Sequence, residues 1–429
     1  MLINLNKINR YSLIYLLLII SADGFGQEKI TQFRGPLRNG IYPDKNLLTE
    51  WPESGPAVVL KIEGIGQGFS SAVVHNNIIY TSGLKDTVEV VSAFDMKGKL
   101  LWEKAYGVGY LKAHPETRNT PTIQGNKLFI KSGSGEIACM DTRSGKIIWK
   151  RNPHIEFKGK FSVWGPAESL LLTDNAVIYT VGGQDASVVA LNKNNGELIW
   201  KSPSTGVAEA YCSPIMINRN GNKIIIVALE RDLLGINPLN GKIIWNFDLR
   251  PEEANRLTWL NHTNAPLYKN GEIFITRGYD MNALMLSLSE DGHKISLKWK
   301  NRTLDTHIGG VVEINGFIYG SNWVSNSKGN WVCQEWNTGK VMYEQDWFNK
   351  GAVLYADGHL YCMEEKDGNI ALVLPDPSGF KVKSTFRVKE GTGPYFSHPS
   401  IYNGNLLVRH GEVLIIYDIT KKNRNLKPT

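Results

Sequence analysis

Apolar and polar positions alternate in short runs along this chain, and the runs return at a nearly constant interval. Each unit holds two strand-length apolar runs separated by a Gly, Asn or Asp turn, then a third run, then a recurrent phrase. The phrase is a small residue, an acid or amide two positions on, a glycine turn, an aliphatic pair and an aromatic. It reads AFDMKGKLLW from Ala93 to Trp102, CMDTRSGKIIW from Cys139 to Trp149, ALNKNNGELIW from Ala190 to Trp200, GINPLNGKIIW from Gly235 to Trp245 and CQEWNTGKVMY from Cys333 to Tyr343. A degenerate copy ends at Trp299. Successive aromatic ends are 47, 51, 45, 54 and 44 residues apart, the period of a four-stranded propeller blade rather than of helical repeats. Trp102, Trp149, Trp200, Trp245 and Trp299 recur at one blade position and are therefore read as packing between blades.

The first two runs of each unit read as hairpins, because Asn-Gly, Asp-Gly and Asn-Asn tolerate the positive φ that a tight turn needs. Units start near Ser70, Thr120, Gly165, Ser213, Ala265, Gly309, Ala352 and Pro399. The last unit stops at Ile419 without a closing strand. A spare strand lies at the other end, in VVLKIEG from Val58 to Gly64. Pairing the two ends would bury both open sheet edges. The expected fold is therefore all-β, an eight-bladed propeller of four-stranded antiparallel blades over residues 57–420, with seven blades as the alternative. Residues 27–56 carry Pro and Gly punctuation without periodicity and read as an extended leader lying over the ring.

Lys7 and Arg10, the apolar run Tyr11 to Ile20 and the small residues around Gly24 to Gly26 have the layout of a secretory signal peptide. Cleavage after Gly26 is expected, which places the protein in the periplasm or outside the cell and leaves it without a membrane span. No Cys lies near that site, so a lipid anchor there is not expected. Losing Lys7, Arg10 and Asp23 takes the net charge from +7 to +6. The basic residues are scattered through turns, apart from Lys421, Lys422 and Arg424 in a tail over 421–429, which argues against nucleic-acid binding. Four cysteines in an exported chain suggest disulfides. Cys139 and Cys333, however, occupy the same slot of distant blades, too far apart to bridge, so buried free thiols and a monomeric ring are expected. No GxSxG, HExxH, P-loop or dinucleotide motif occurs.

The phrase AxDxxxGKxxW, together with FRGPLRNG, WPESGP, GQGFSSAVV and LLVRHGEVLIIYDI, resembles the pyrroloquinoline-quinone (PQQ) repeat superfamily of β-propellers. It is similar to exported bacterial members named after the outer-membrane assembly factor of the Bam complex. The resemblance covers roughly residues 31 to 420. It implies that each Trp docks on the glycine turn of the neighbouring blade, and it offers two kinds of function. One is a non-catalytic binding or assembly scaffold with a protein or glycan partner. The other is a PQQ-dependent dehydrogenase of alcohols or sugars that holds the quinone with calcium. The dehydrogenases carry an adjacent Cys-Cys pair and acidic calcium ligands; no two Cys are adjacent here, and no acidic cluster stands out. No cofactor is therefore expected. A polysaccharide-processing enzyme is the third possibility.

Ligand sites on a propeller gather where the loops entering the innermost strands converge. That criterion selects Arg118 and Asn119 in blade two, Trp164 in blade three, Glu209 and Tyr211 in blade four, Asn261, His262 and Thr263 in blade five, Asp305, Thr306 and His307 in blade six, and Tyr395 and His398 in blade eight. Trp164, Trp259 and Trp323 are candidates for stacking on a ring-shaped ligand. His262 and His307, with Cys212 or Glu209, are a weak candidate metal set. His75, His293, His359 and His410 fall in or beside turns and are expected to be solvated, as is Glu364-Glu365-Lys366-Asp367.

Overall fold

In the computed structural model, residues 29–252 and 262–421 are described. The signal peptide, Trp259, Asn261 and the tail beyond residue 421 lie outside the described residues. The described chain forms eight four-stranded antiparallel sheets in a ring, with helix confined to single turns at Pro153–Glu156 and Arg250–Glu252. Blade one runs from Val73–His75 to Leu100–Val108, and blade seven from Gly351–Ala356 to Lys381–Arg387. The first strand of blade three is Leu171–Leu172, six residues beyond the expected start at Gly165, because the loop before it is longer than its equivalents.

The ring closes through its two chain ends. Ala57–Ile62 pairs antiparallel with Val413–Asp418, Ala57 opposite Asp418 and Ile62 opposite Leu414, and so supplies the fourth strand of blade eight. Burial falls from the inside outward. Ile178, Val188, Val189 and Ala190 in blade three are fully buried, whereas Leu198 and Ile199 in its outer strand are exposed. The apolar clusters sit between neighbouring blades, as where Ile178 and Val188 of blade three meet Ile225 and Leu234 of blade four.

The tryptophans hold these seams. The indole Nε1–H of Trp102 donates to the Thr142 carbonyl at 2.9 Å, that of Trp149 to Lys193 at 3.0 Å, that of Trp200 to Pro238 at 2.9 Å, that of Trp245 to Gly292 at 3.2 Å and that of Trp299 to Trp336 at 2.9 Å, each on the next blade. The ring then covers the neighbour's turn. A Cβ on Gly145 would lie 2.5 Å from the Trp102 ring, and Gly145 has φ +68°, so only glycine satisfies both demands. In the closing strand Leu60 takes the aromatic's place, packed on Gly98. Blade seven has Ser384 at this position, opposite Leu372. There the leader supplies an indole: the backbone N–H of Trp51 donates to Ser384 Oγ at 2.7 Å, and its ring stands edge-on to Tyr361 and Phe386, at 5.7 and 5.3 Å between ring centroids.

Several expected solvated groups are buried. His75 is held by the Thr31 hydroxyl at 3.0 Å and the Gly125 carbonyl at 2.9 Å. His359 is buried, and His410 stacks on Tyr395 with centroids 3.6 Å apart. Glu364 turns inward and accepts backbone N–H groups from Lys366, Asp367 and Asn369, so its burial follows from capping a tight turn. His293 remains exposed beside Asp291. All four cysteines are buried thiols, and burial pushes Cys139, Cys212 and Cys333 up to about 12.

Candidate functional site: the two ends of the central channel

The loops entering the innermost strands are tied to one another around the ring. Ser71 N–H donates to Thr120 Oγ1 at 3.0 Å, Thr120 N–H to Ser169 Oγ at 3.1 Å, and Ser169 N–H to Ser213 Oγ at 2.9 Å. Across the ring Gly310 N–H donates to Asn264 Oδ1 at 2.9 Å, and the Ser71 hydroxyl donates to the His398 carbonyl at 2.8 Å. Sequence reasoning missed this belt. Its signal was a hydroxyl or amide recurring just before the first strands of blades one to five, at Ser71, Thr120, Ser169, Ser213 and Asn264.

The leader does not merely lie over the ring; it crosses the channel. Thr31 bridges to Ile123 of blade two and Ile41 to Tyr355 of blade seven, three blades away around the ring. Between them Arg34 and Arg38, both buried and at φ 59° and 57°, send their guanidinium groups among the innermost strands. Arg34 Nη2 donates to the Val311 carbonyl at 2.7 Å and its Nη1 to Val353 at 3.2 Å and to His398 Nδ1 at 2.9 Å. Arg38 Nη1 donates to the Ser169 carbonyl at 2.6 Å, its Nη2 to Leu170, and its Nε to Gln32 Oε1 at 2.7 Å. Burial lowers both guanidinium groups to about 10, so each stays charged at neutral pH. Two cations thus meet along the axis, solvated by carbonyl oxygens, with the Glu168 charge also favouring Arg38.

On the side away from the leader, the predicted mouth residues form an arc. Arg118 Nη2 donates to the Ala113 carbonyl at 3.2 Å and to that of His114. The His114 ring lies 5.3 Å from that of Trp164, and the backbone N–H of Trp164 donates to Tyr211 Oη at 3.0 Å. Tyr211 N–H donates to the His262 carbonyl at 2.8 Å, and the Thr263 hydroxyl to that of His307. His307 Nε2 lies 2.9 Å from the Tyr279 hydroxyl. Arg118, Trp164, Tyr211, His262, Thr263 and His307 are therefore contiguous. His262 is buried under this arc, and burial together with Arg277 holds its imidazole neutral. Burial lowers His307 to about 4. Asp305 accepts N–H groups from Asp280 at 2.6 Å and Trp323 at 2.9 Å and is pushed by burial up to about 8; Thr306 is buried beside it.

Four other predicted residues serve the scaffold. Asn119 donates to the Lys131 carbonyl at 2.6 Å. Glu209 Oε2 accepts from Lys131 Nζ at 2.5 Å, and the same ammonium reaches Glu168 at 3.1 Å and the Thr180 carbonyl at 3.1 Å. Tyr395 donates to Val388 and covers Gly368. His398 is consumed by Arg34 and donates Nε2–H to the Ile308 carbonyl at 2.7 Å. Among the described residues no three His, Cys, Asp or Glu side chains converge as a metal-binding group would require.

The mouth loops also expose apolar side chains: Leu111 (48%), Val163 (55%), Val324 (48%) and Phe348 (61%). Trp164 and Trp323 are half-buried among them. At the opposite end, a cavity of about 410 Å³ lies between the leader and the rim of blades eight, one and two.

The family model described as outer membrane protein assembly factor BamB matches residues 87–373, and the chain belongs to that family. It is 23% identical over 305 residues to the outer membrane protein assembly factor BamB of Moranella endobia, covering 66% of this chain and 72% of that one. In fold it is similar to BamB from Moraxella catarrhalis, with a TM-score of 0.60 at 12% identity over 85% of this chain and 99% of that one. It is also similar in fold to quinohemoprotein alcohol dehydrogenase from Comamonas testosteroni, with a TM-score of 0.67 at 13% identity over 92% and 80% of the two chains.

Proposed function

We propose that this member of the assembly-factor family is an exported, non-catalytic scaffold that engages a protein partner at the mouth opposite the leader. The observation that carries the reading is the exposure of Leu111, Val163, Val324 and Phe348 on the mouth loops, around the half-buried Trp164 and Trp323. Apolar groups exposed at several points around one end of the ring favour a partner that covers them. The hydrogen bonds that tie the mouth loops from Trp164 to His307 limit the ordering cost of binding.

A quinone cofactor fits this chain poorly. The axis is filled by Arg34 and Arg38, and the four thiols are each isolated and buried. No step is therefore routed through such a group. Photo-crosslinking residues placed at Val163 and Phe348 in the exported protein test the reading. A crosslinked polypeptide from these positions, absent when the same residue replaces Lys242 on the outer edge, is expected. Equal labelling at all three positions would overturn the mouth as the docking face. Dye reduction from alcohols or sugars on adding PQQ and calcium would overturn the non-catalytic reading.

A further inference from the structure

The leader does more than close the axis: it converts the other end of the channel into a walled pocket. The cavity of about 410 Å³ has the innermost strands of blades one and eight as its floor, through Val73 to Asn76 and Ser400 to Asn403. Lys29 to Gln32, Gly35, Pro36 and Tyr42 to Asp44 of the leader form the opposite wall. Its size lies within the range of small-molecule sites. Because the leader occurs once in the chain, this pocket is not a by-product of the repeat.

We propose that this pocket binds a neutral carbohydrate of one or two sugar rings. The residues that line it carry hydrogen-bonding groups of both kinds: the phenols Tyr42 and Tyr402, the amides Asn76 and Asn403, the carboxylate of Asp44 and the ammonium of Lys29. One cation and one anion balance, so the lining does not select a charged ligand. Closely spaced donors and acceptors beside aromatic rings suit the alternating hydroxyls and C–H faces of a sugar. The walls are held in place without a ligand. Thr31 is fixed to His75, Asp44 Oδ1 accepts the Gly404 N–H at 2.9 Å, and Tyr402 donates to Asn77 Oδ1 at 3.0 Å. A preformed pocket keeps the cost of binding low. The ligand is distinct from the mouth partner, and the two sites lie at opposite ends of the channel.

Calorimetric titration of the full exported chain with maltose, cellobiose and N,N′-diacetylchitobiose is the test, with trialanine as a peptide control. Saturable binding of at least one disaccharide is expected. It should weaken about tenfold or more in Tyr402→Ala and in Lys29→Ala, a difference readily resolved in Kd, and stay unchanged in the mouth variant Phe348→Asp. Lys29 is exposed at the rim, so its variant keeps the test valid if Tyr402→Ala fails to fold. Saturation by none of the three sugars, binding of trialanine alone, or sugar binding indifferent to both pocket variants would each overturn the proposal. Failure of the mouth crosslinks leaves this outcome unaffected, and the reverse holds.

Discussion

Arg34 and His398 lie 364 residues apart in the chain and 2.9 Å apart in the channel, guanidinium Nη1 to imidazole Nδ1. Arginine can only donate, so Nδ1 accepts and the imidazole carries its proton on Nε2, which points at the Ile308 carbonyl. Burial and the Arg34 charge lower His398 to about 3. The histidine that sequence reading placed at a ligand site is instead a fixed acceptor for a peg of the leader.

That pairing has a pH signature. His398 titrates near 3 when folded and near 6.5 when unfolded, and His154 and His307 are lowered to about 4. Between these values the unfolded chain holds more protons, so stability is present above about pH 6.5 and lost as pH falls towards 4. Because Glu209, raised to about 8, contributes with the opposite sign over this window, the check is the difference between the native protein and His398→Gln, whose denaturant unfolding from pH 7 to pH 4.5 should lack about one proton of this slope.

Arg38 should matter for the whole ring, because its donors satisfy carbonyls at Ser169 and Leu170. Arg38→Met strands them in a buried site and should cost about 3 kcal/mol. Arg38→Lys should recover little, since one ammonium cannot reproduce the fork. Urea midpoints of the three proteins measure this.

At the seam of blades three and four, Trp200→Ala should cost about 4 kcal/mol. Gly241→Ala drives a methyl into the same indole at φ +73° and should destabilise as well. In the double variant the methyl no longer meets the ring, so the two losses should sum to more than the measured total. A thermal-denaturation cycle over the four proteins reads that coupling.

Lys131, Glu168 and Glu209 form a buried cluster with one more carboxyl than cation. Burial, acting against the pull of Lys131, raises Glu209 to about 8 from 4.5, and its Oε1 has no partner to favour the ionised form. The folded protein therefore keeps a proton that the unfolded chain loses, and this contribution fades as pH rises from about 4.5 to 8. Glu209→Gln should flatten stability across that window. Lys131→Met should cost about 4 kcal/mol by leaving the carboxyls unpaired, with much of the loss restored when both glutamates become glutamine.

The repeat was legible in the chain alone, because hydrophobic periodicity and turn residues are local. Eight blades, the closing strand at Val58 and the packing role of Trp102 to Trp299 followed from spacing. The mouth arc was half legible: Arg118, Trp164, Tyr211, His262, Thr263 and His307 meet as neighbours, while Asn119, Glu209, Tyr395 and His398 went to the scaffold. Burial decides between those fates, and it depends on contacts hundreds of residues away. The leader shows this most plainly. FRGPLRNG carries no periodicity, and nothing in it announces that its two arginines meet converging carbonyls along the axis of the folded ring. Local pattern determined the blades; only tertiary structure decided that Arg34, Arg38 and Trp51 complete them, since the groups they satisfy exist nowhere until the ring has closed.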